Sequence, residues 1–184
     1  MYLILFFCVP LILALVLIKV TEKKTQRKHA MLLQSIIEGS ESAVPETTGF
    51  EIVMAQGSKD AVSTMKGYDR SSTGYFHMLN LIVRYREGEM YIMAVPCPSM
   101  TKMEVDPDFI LHVTASMLKE VKFGAMGKVA FYFKDGSQFF AMTVTDFAIP
   151  LAMQPAGHKN FKPYIKEFAG KVNGNGQESH NDAI

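Results

Sequence analysis

The hydrophobic pattern begins with an apolar segment that has no polar face. Residues 1–18, MYLILFFCVPLILALVLI, contain no charged side chain. A helix that crosses a bilayer needs about 17–25 apolar residues. Residues 2–20 meet this length, and Lys19 can extend its ammonium group to the interface. We therefore predict an uncleaved transmembrane anchor over residues 1–20.

Two alternatives to this anchor are a cleaved signal peptide and a buried core helix. A signal peptide starts with basic residues and ends at a small-x-small cleavage site, and the segment has neither. A core helix of a soluble domain normally keeps one polar face. The uninterrupted apolar run therefore favours the anchor over both alternatives.

A basic stretch follows the apolar segment directly. Residues 19–29 carry five Lys or Arg against one Glu, a net charge of +4. Residues 30–184 carry 14 Lys or Arg and 17 Asp or Glu, a net charge of −3, which disfavours nucleic-acid binding. By the positive-inside rule, the N-terminus lies outside and the C-terminal domain is cytoplasmic. The candidates for the membrane interface are Lys19, Lys23, Lys24, Arg27 and Lys28.

Two segments lie between the apolar segment and the predicted folded domain. Residues 21–38 predict a basic juxtamembrane helix, because Met31, Leu32 and Ile36 recur at helical spacing. Residues 39–48, GSESAVPETT, are small and polar and predict a linker. The folded domain is then expected over residues 49–172. The polar residues 173–184 predict a disordered tail.

Alternation with a period of two predicts strands within this domain. The hairpin signals are the turn at 86–89 and the Asp-Gly turn at 134–137, each between alternating apolar residues. The expected strands lie at 50–55, 75–85, 90–95, 109–114, 118–123, 128–133 and 138–144. The stripe of a final helix over 157–172 consists of Phe161, Ile165, Phe168 and Val172. Pro163 predicts that this helix begins near Lys162.

This order of elements predicts a mainly β, α+β fold. It consists of an antiparallel bent sheet or open barrel, capped by an amphipathic C-terminal helix. The hairpin at 127–144, the strand at 118–123 and the final helix resemble the pleckstrin-homology-like fold, including its bacterial and GRAM-type relatives. The resemblance covers residues 50–172 and implies a scaffold role. The alternating Lys and Arg of phosphoinositide-binding members are not matched on the first hairpin.

Candidate chemistry adds little to this picture. The histidines include no pair at i, i+3 or i, i+4, so metal binding has no local support. His77 and His112 lie on predicted strands, and Cys97 between two prolines is a weak candidate nucleophile. Cys8 and Cys97 form no disulfide framework, which fits a reducing cytoplasm. We predict no enzyme activity and no cofactor.

The combined expectation is a single-pass, membrane-anchored, non-catalytic interaction or scaffold module that binds a protein partner. Met100 and Met103, in a polar loop, are candidates for the partner contact, because methionine suits adaptable surfaces. Two alternatives stay open. One is a domain that senses anionic lipid headgroups through the basic segment, and the other is a small-pocket enzyme or ligand-binding barrel.

Overall fold

A computed structural model describes residues 2–57, 79–96, 103–134, 139–144 and 154–178. The helices of this part are α1, Tyr2–Ala43, and α2, His158–Glu178. The strands are β1, Glu51–Gly57; β2, Leu79–Arg86; β3, Glu89–Val95; β4, Ile110–Thr114; β5, Leu118–Phe123; β6, Lys128–Phe133; and β7, Phe139–Thr143. The predicted strands thus recur at nearly the expected positions. The predicted strand residues 75–78 and the turn residues 135–137 lie outside the described part.

The strands form one antiparallel sheet in the order β4-β3-β2-β1-β7-β6-β5. β1 pairs along its whole length with β2, and its last residues, Gln56 and Gly57, also pair with β7. β1 therefore connects the two halves of the sheet, strands β1–β4 and strands β5–β7. Together with α2, this sheet confirms the predicted α+β fold with an antiparallel sheet and a C-terminal helix.

The central strands β1, β2 and β3 are buried on both faces. On one face, the side chains pack against α2 and include Val53, Val83 and Ile92. Met54 and Ile82 represent the opposite set, which packs against the last turns of α1. The sheet therefore has one core beneath α2 and a second core beneath α1.

α2 carries the predicted apolar stripe but begins earlier than predicted. Phe161, Ile165, Phe168 and Val172 are each at most 3% exposed, which confirms the stripe. The helix starts at His158, so the predicted start near Lys162 is wrong. Pro163 lies inside the helix on its exposed side. Proline has no N–H, so the carbonyl four residues earlier loses its helical donor. At this exposed position, water can hydrogen-bond to that carbonyl instead.

Two carboxamide side chains join the ends of the α2 region to strand edges. The Gln154 side chain accepts a hydrogen bond from the Met54 N–H at 3.0 Å and donates one to the Met54 carbonyl at 2.8 Å. The Asn173 side chain pairs in the same way with Val121 of β5, at 3.0 and 3.2 Å. Each amide thus takes the place of a neighbouring strand at an edge that would otherwise have unpaired backbone groups.

Two tyrosine hydroxyls add further contacts between the α2 region and the sheet. The Tyr85 hydroxyl lies 2.6 Å from the Gly157 carbonyl and 2.9 Å from the Glu51 carboxylate. The Tyr164 hydroxyl donates to the Glu89 carbonyl at 2.8 Å. Burial raises the pKa of both tyrosines above the ordinary value, so both hydroxyls stay protonated as donors.

The boundaries at both ends of the domain differ from the expected ones. α1 continues to Ala43, through the first half of the predicted linker, and a short 3-10 turn follows at Pro45–Thr47. Ser40 and Thr47 are fully buried, so this stretch belongs to the packed domain. α2 extends to Glu178, past the predicted end at 172, and residues 179–184 lie outside the described part.

The side chains of α1 are described from Leu17 onwards. Among the described residues, none of the helices has the length and apolar character needed to cross a membrane.

We expect Asn173→Ala to lower the free energy of unfolding by about 1 kcal/mol, because it removes two hydrogen bonds to the β5 edge where water can partly replace them. The measurement is urea unfolding followed by circular dichroism. Asn160→Ala, at an exposed position of the same helix, is the matched control and should change stability by less than about 0.5 kcal/mol. Equal losses in both variants would contradict the role of the Asn173 amide.

Candidate functional site

The predicted membrane-interface residues lie on a solvated part of α1, residues 17–31, which we name the stalk. Every side chain from Leu17 to Lys28 is exposed. The first fully buried side chain among those described on this helix is Ile36. The five basic residues predicted for the interface are therefore on the stalk and not in contact with the sheet.

The last turns of α1 are fastened to the sheet by Arg84 of β2, which is only 1% exposed. Its Nε donates to Ser40 Oγ at 2.8 Å, Nη1 donates to the Thr47 carbonyl at 2.9 Å, and Nη2 donates to the Ile37 carbonyl at 3.0 Å. Glu41 lies 3.5 Å from Nη2. We name this set of contacts the Arg84 latch.

The electrostatics of the Arg84 latch are those of a buried cation at a helix C-terminus. Burial lowers the pKa of Arg84 from its ordinary value, and the carboxylate of Glu41 opposes this shift. Arginine remains charged in proteins, so the guanidinium presents a positive charge to the negative end of the helix dipole. Ser40 also donates to the Ile37 carbonyl at 2.7 Å, which leaves its oxygen oriented to accept from Arg84.

Beyond the end of α1, the same face of the sheet carries a cluster of charged and aromatic side chains, of which Arg86 and His112 are exposed. Glu89 binds Arg86 at 2.7 Å and His112 at 3.0 Å. His112 stacks on Tyr91 at 4.2 Å, and Arg86 lies 4.4 Å above the ring of Phe50. Burial opposes ionisation of Glu89, but hydrogen bonds from His112 and Arg86 outweigh it and lower its pKa. These contacts order the turn between β2 and β3.

A groove of about 410 Å³ runs between the turn that joins β5 to β6 and the first half of α2. We name it the α2 groove. Its lysines are Lys128 from β6 and Lys162 and Lys166 from α2, and no acidic side chain is among its described lining residues. Phe123, at 53% exposure, stands at its rim. The groove therefore combines positive charge with an exposed aromatic ring.

One glycine shapes the wall of the α2 groove. Gly127 has a φ of 77°, in the region that favours glycine. A Cβ at this position would lie 2.7 Å from the Val144 carbonyl oxygen. The close approach of the turn to the end of β7 therefore requires glycine here.

The other predicted candidates do not form a common site among the described residues. Met103, a predicted partner contact, is 4% exposed and packs in the core beneath α1, so it is not available to a partner and that prediction is wrong. Met100, Cys97 and His77 lie outside the described residues. His112 pairs with Glu89, and the described part contains no group of three or more residues able to hold a metal ion.

The Arg84 latch and the α2 groove are features that the sequence reasoning missed. A signal for the latch is present, because Ile82 and Arg84 occupy the same face of β2 and Ile82 is fully buried. An apolar residue on that face indicates that the face is covered. Lys162 and Lys166 are neighbours on α2, and Lys128 of β6 joins them only through the packing of α2 on the sheet.

Comparison with known proteins gives no family for this chain. No protein-family model matches it, and no curated protein matches it.

Proposed function

We propose that the protein is a non-catalytic interaction module that is held at a membrane by its N-terminal segment and binds a protein partner through its sheet domain. The observation that carries the proposal is the continuity of α1 from the uncharged segment to the Arg84 latch. One helix thus connects the segment that suits a bilayer with the domain that would meet a partner.

The geometry of the stalk supports a role in spacing. At about 1.5 Å per residue, the helix between Val20 and Ile36 is about 24 Å long. Because the Arg84 latch fixes the end of this helix, the domain would be carried at a defined distance from the bilayer. The basic residues after the uncharged segment favour a cytoplasmic domain.

The resemblance to the pleckstrin-homology-like fold supports a scaffold role. The seven-stranded antiparallel sheet with a C-terminal helix is compatible with that resemblance. Both faces of β1–β3 are occupied by α1 and α2. A partner would therefore bind at the periphery of the sheet, and the α2 groove is a surface of this kind.

The proposal is tested by purifying the tagged full chain from membranes. We expect the chain to stay in the membrane pellet after alkaline extraction. Once dissolved in detergent, it should co-purify with a protein that an anchor-only fusion of residues 1–31 does not retain. A chain released by alkaline extraction would contradict the anchor. Failure to enrich any protein over the fusion would contradict the scaffold role.

Two double substitutions test the anchor, one inside the uncharged segment and one outside it as a matched control. Leu11→Arg with Leu15→Arg places two charges inside the uncharged segment, at a cost of about 2.5–3.5 kcal/mol each at the bilayer centre, and should release the chain. Gln26→Arg with Gln34→Arg adds the same charge on the exposed part of α1 and should leave it in the pellet.

A second candidate function, the sensing of anionic lipid by the stalk, is favoured by one specific observation. Lys19 and Lys23, Lys23 and Arg27, and Lys24 and Lys28 are like-charge pairs at i, i+4 on an exposed helix. Such pairs destabilise a helix in water. An anionic surface would relieve this repulsion.

We expect a fragment of residues 19–184 to bind vesicles that contain phosphatidylserine, and about 0.5 M salt to weaken this binding. Replacing Lys23, Lys24, Arg27 and Lys28 by Gln should abolish it, because each basic residue contributes about 1 kcal/mol. Vesicle sedimentation measures the bound fraction. Equal vesicle binding by the unsubstituted fragment and by the variant with four Gln residues would exclude the stalk as the lipid contact.

A further inference from the structure

We propose that the α2 groove binds an extended acidic segment of a partner protein, with one apolar side chain of the segment against Phe123. The inference rests on the proposed function, which it deepens by naming the surface and the chemistry of the partner. The groove is distinct from the stalk, whose basic residues belong to another part of the chain.

The charge distribution around α2 favours an anionic occupant. The ion pairs between described residues do not include Lys128, Lys162 or Lys166. The acidic residue Glu167 pairs instead with Lys171, at 3.0 Å, on a different side of the helix. Among the described residues, the groove side of α2 is therefore left with positive charge that an acidic ligand would neutralise.

The spacing of two of the lysines fits an extended chain. Lys162 and Lys166 are four residues apart on α2, a rise of about 6 Å. Side chains at positions i and i+2 of an extended peptide are about 6.6 Å apart on the same face. Carboxylates at alternate positions would therefore each meet one lysine.

The exposed ring of Phe123 provides the apolar part of the site. Val129, Phe161 and Ile165 form the floor of the groove but are each only 3% exposed. Val144 is half-buried, so Phe123 is the exposed one among the large apolar side chains that line the groove. Because the groove is a cleft between two elements, a peptide can reach its floor, whereas a flat bilayer surface would meet only its rim.

The test uses the full chain in a neutral detergent and a fluorescein-labelled peptide, Glu-Leu-Glu-Phe-Glu-Ser, with fluorescence anisotropy as the measurement. We expect saturable binding that about 0.5 M salt weakens. Lys162→Glu with Lys166→Glu should weaken binding roughly tenfold or more. Lys134→Glu with Lys159→Glu, at exposed positions outside the groove, makes the same charge change and should weaken it less than about threefold.

Phe123→Ser separates the apolar contact from the charge. We expect it to weaken binding several-fold while the salt dependence stays that of the wild-type protein. Absence of wild-type binding, or equal weakening by the two double variants, would overturn the proposal. Binding of phosphatidylserine vesicles in place of the peptide, lost with Lys162→Glu and Lys166→Glu, would overturn it in favour of a lipid site.

Failure of this proposal is distinguishable from failure of the proposed function. If the full chain still co-purifies with a protein after Lys162→Glu and Lys166→Glu, the groove is not the partner site and the scaffold role stands. If the chain binds the peptide but co-purifies with no protein, the α2 groove stands as a peptide site and the scaffold role is contradicted. Circular dichroism of each variant checks that these exposed substitutions leave the fold intact.

Discussion

The buried guanidinium of Arg84 is the interaction on which the relation between helix and sheet depends. Without α1, Arg84 would be a charge on a sheet face without these partners, since its contacts come from Ile37, Ser40 and Thr47. Without Arg84, the Ile37 and Thr47 carbonyls would each lose one donor and keep another, the Ser40 hydroxyl and the Phe50 N–H respectively. The buried guanidinium therefore requires these partners, because an unpaired buried charge is costly.

The two helices cover the two faces of the central strands. α1 covers one face of β1–β3, and α2 covers the opposite face. The amides of Gln154 and Asn173 satisfy the strand edges at Met54 and Val121. The α2 groove, with its lysines and exposed Phe123, is a cleft that this arrangement leaves open.

Local patterns were sufficient to predict the strands, the turn at 86–89 and the apolar stripe of α2, because each depends on residues close in sequence. The Arg84 latch depends on partners 37 to 47 residues away, and the Asn173 contact spans 52 residues. Single-sequence periodicity contains no information on such pairings. The polar linker prediction differed from the structure for the same reason, since Ser40 is polar but buried by Arg84.

Hydrogen–deuterium exchange of the full chain tests most directly whether the Arg84 latch fixes α1 to the sheet. If Arg84 fixes α1 to the sheet, the amides of residues 37–43 exchange slowly and those of residues 19–29 of the stalk exchange fast. Arg84→Ala should release the first set while the amides of β5–β7 stay protected, and Arg86→Ala should leave the wild-type pattern. Equal exchange of the two α1 segments in the wild-type protein would contradict the fixing of α1 to the sheet by the Arg84 latch.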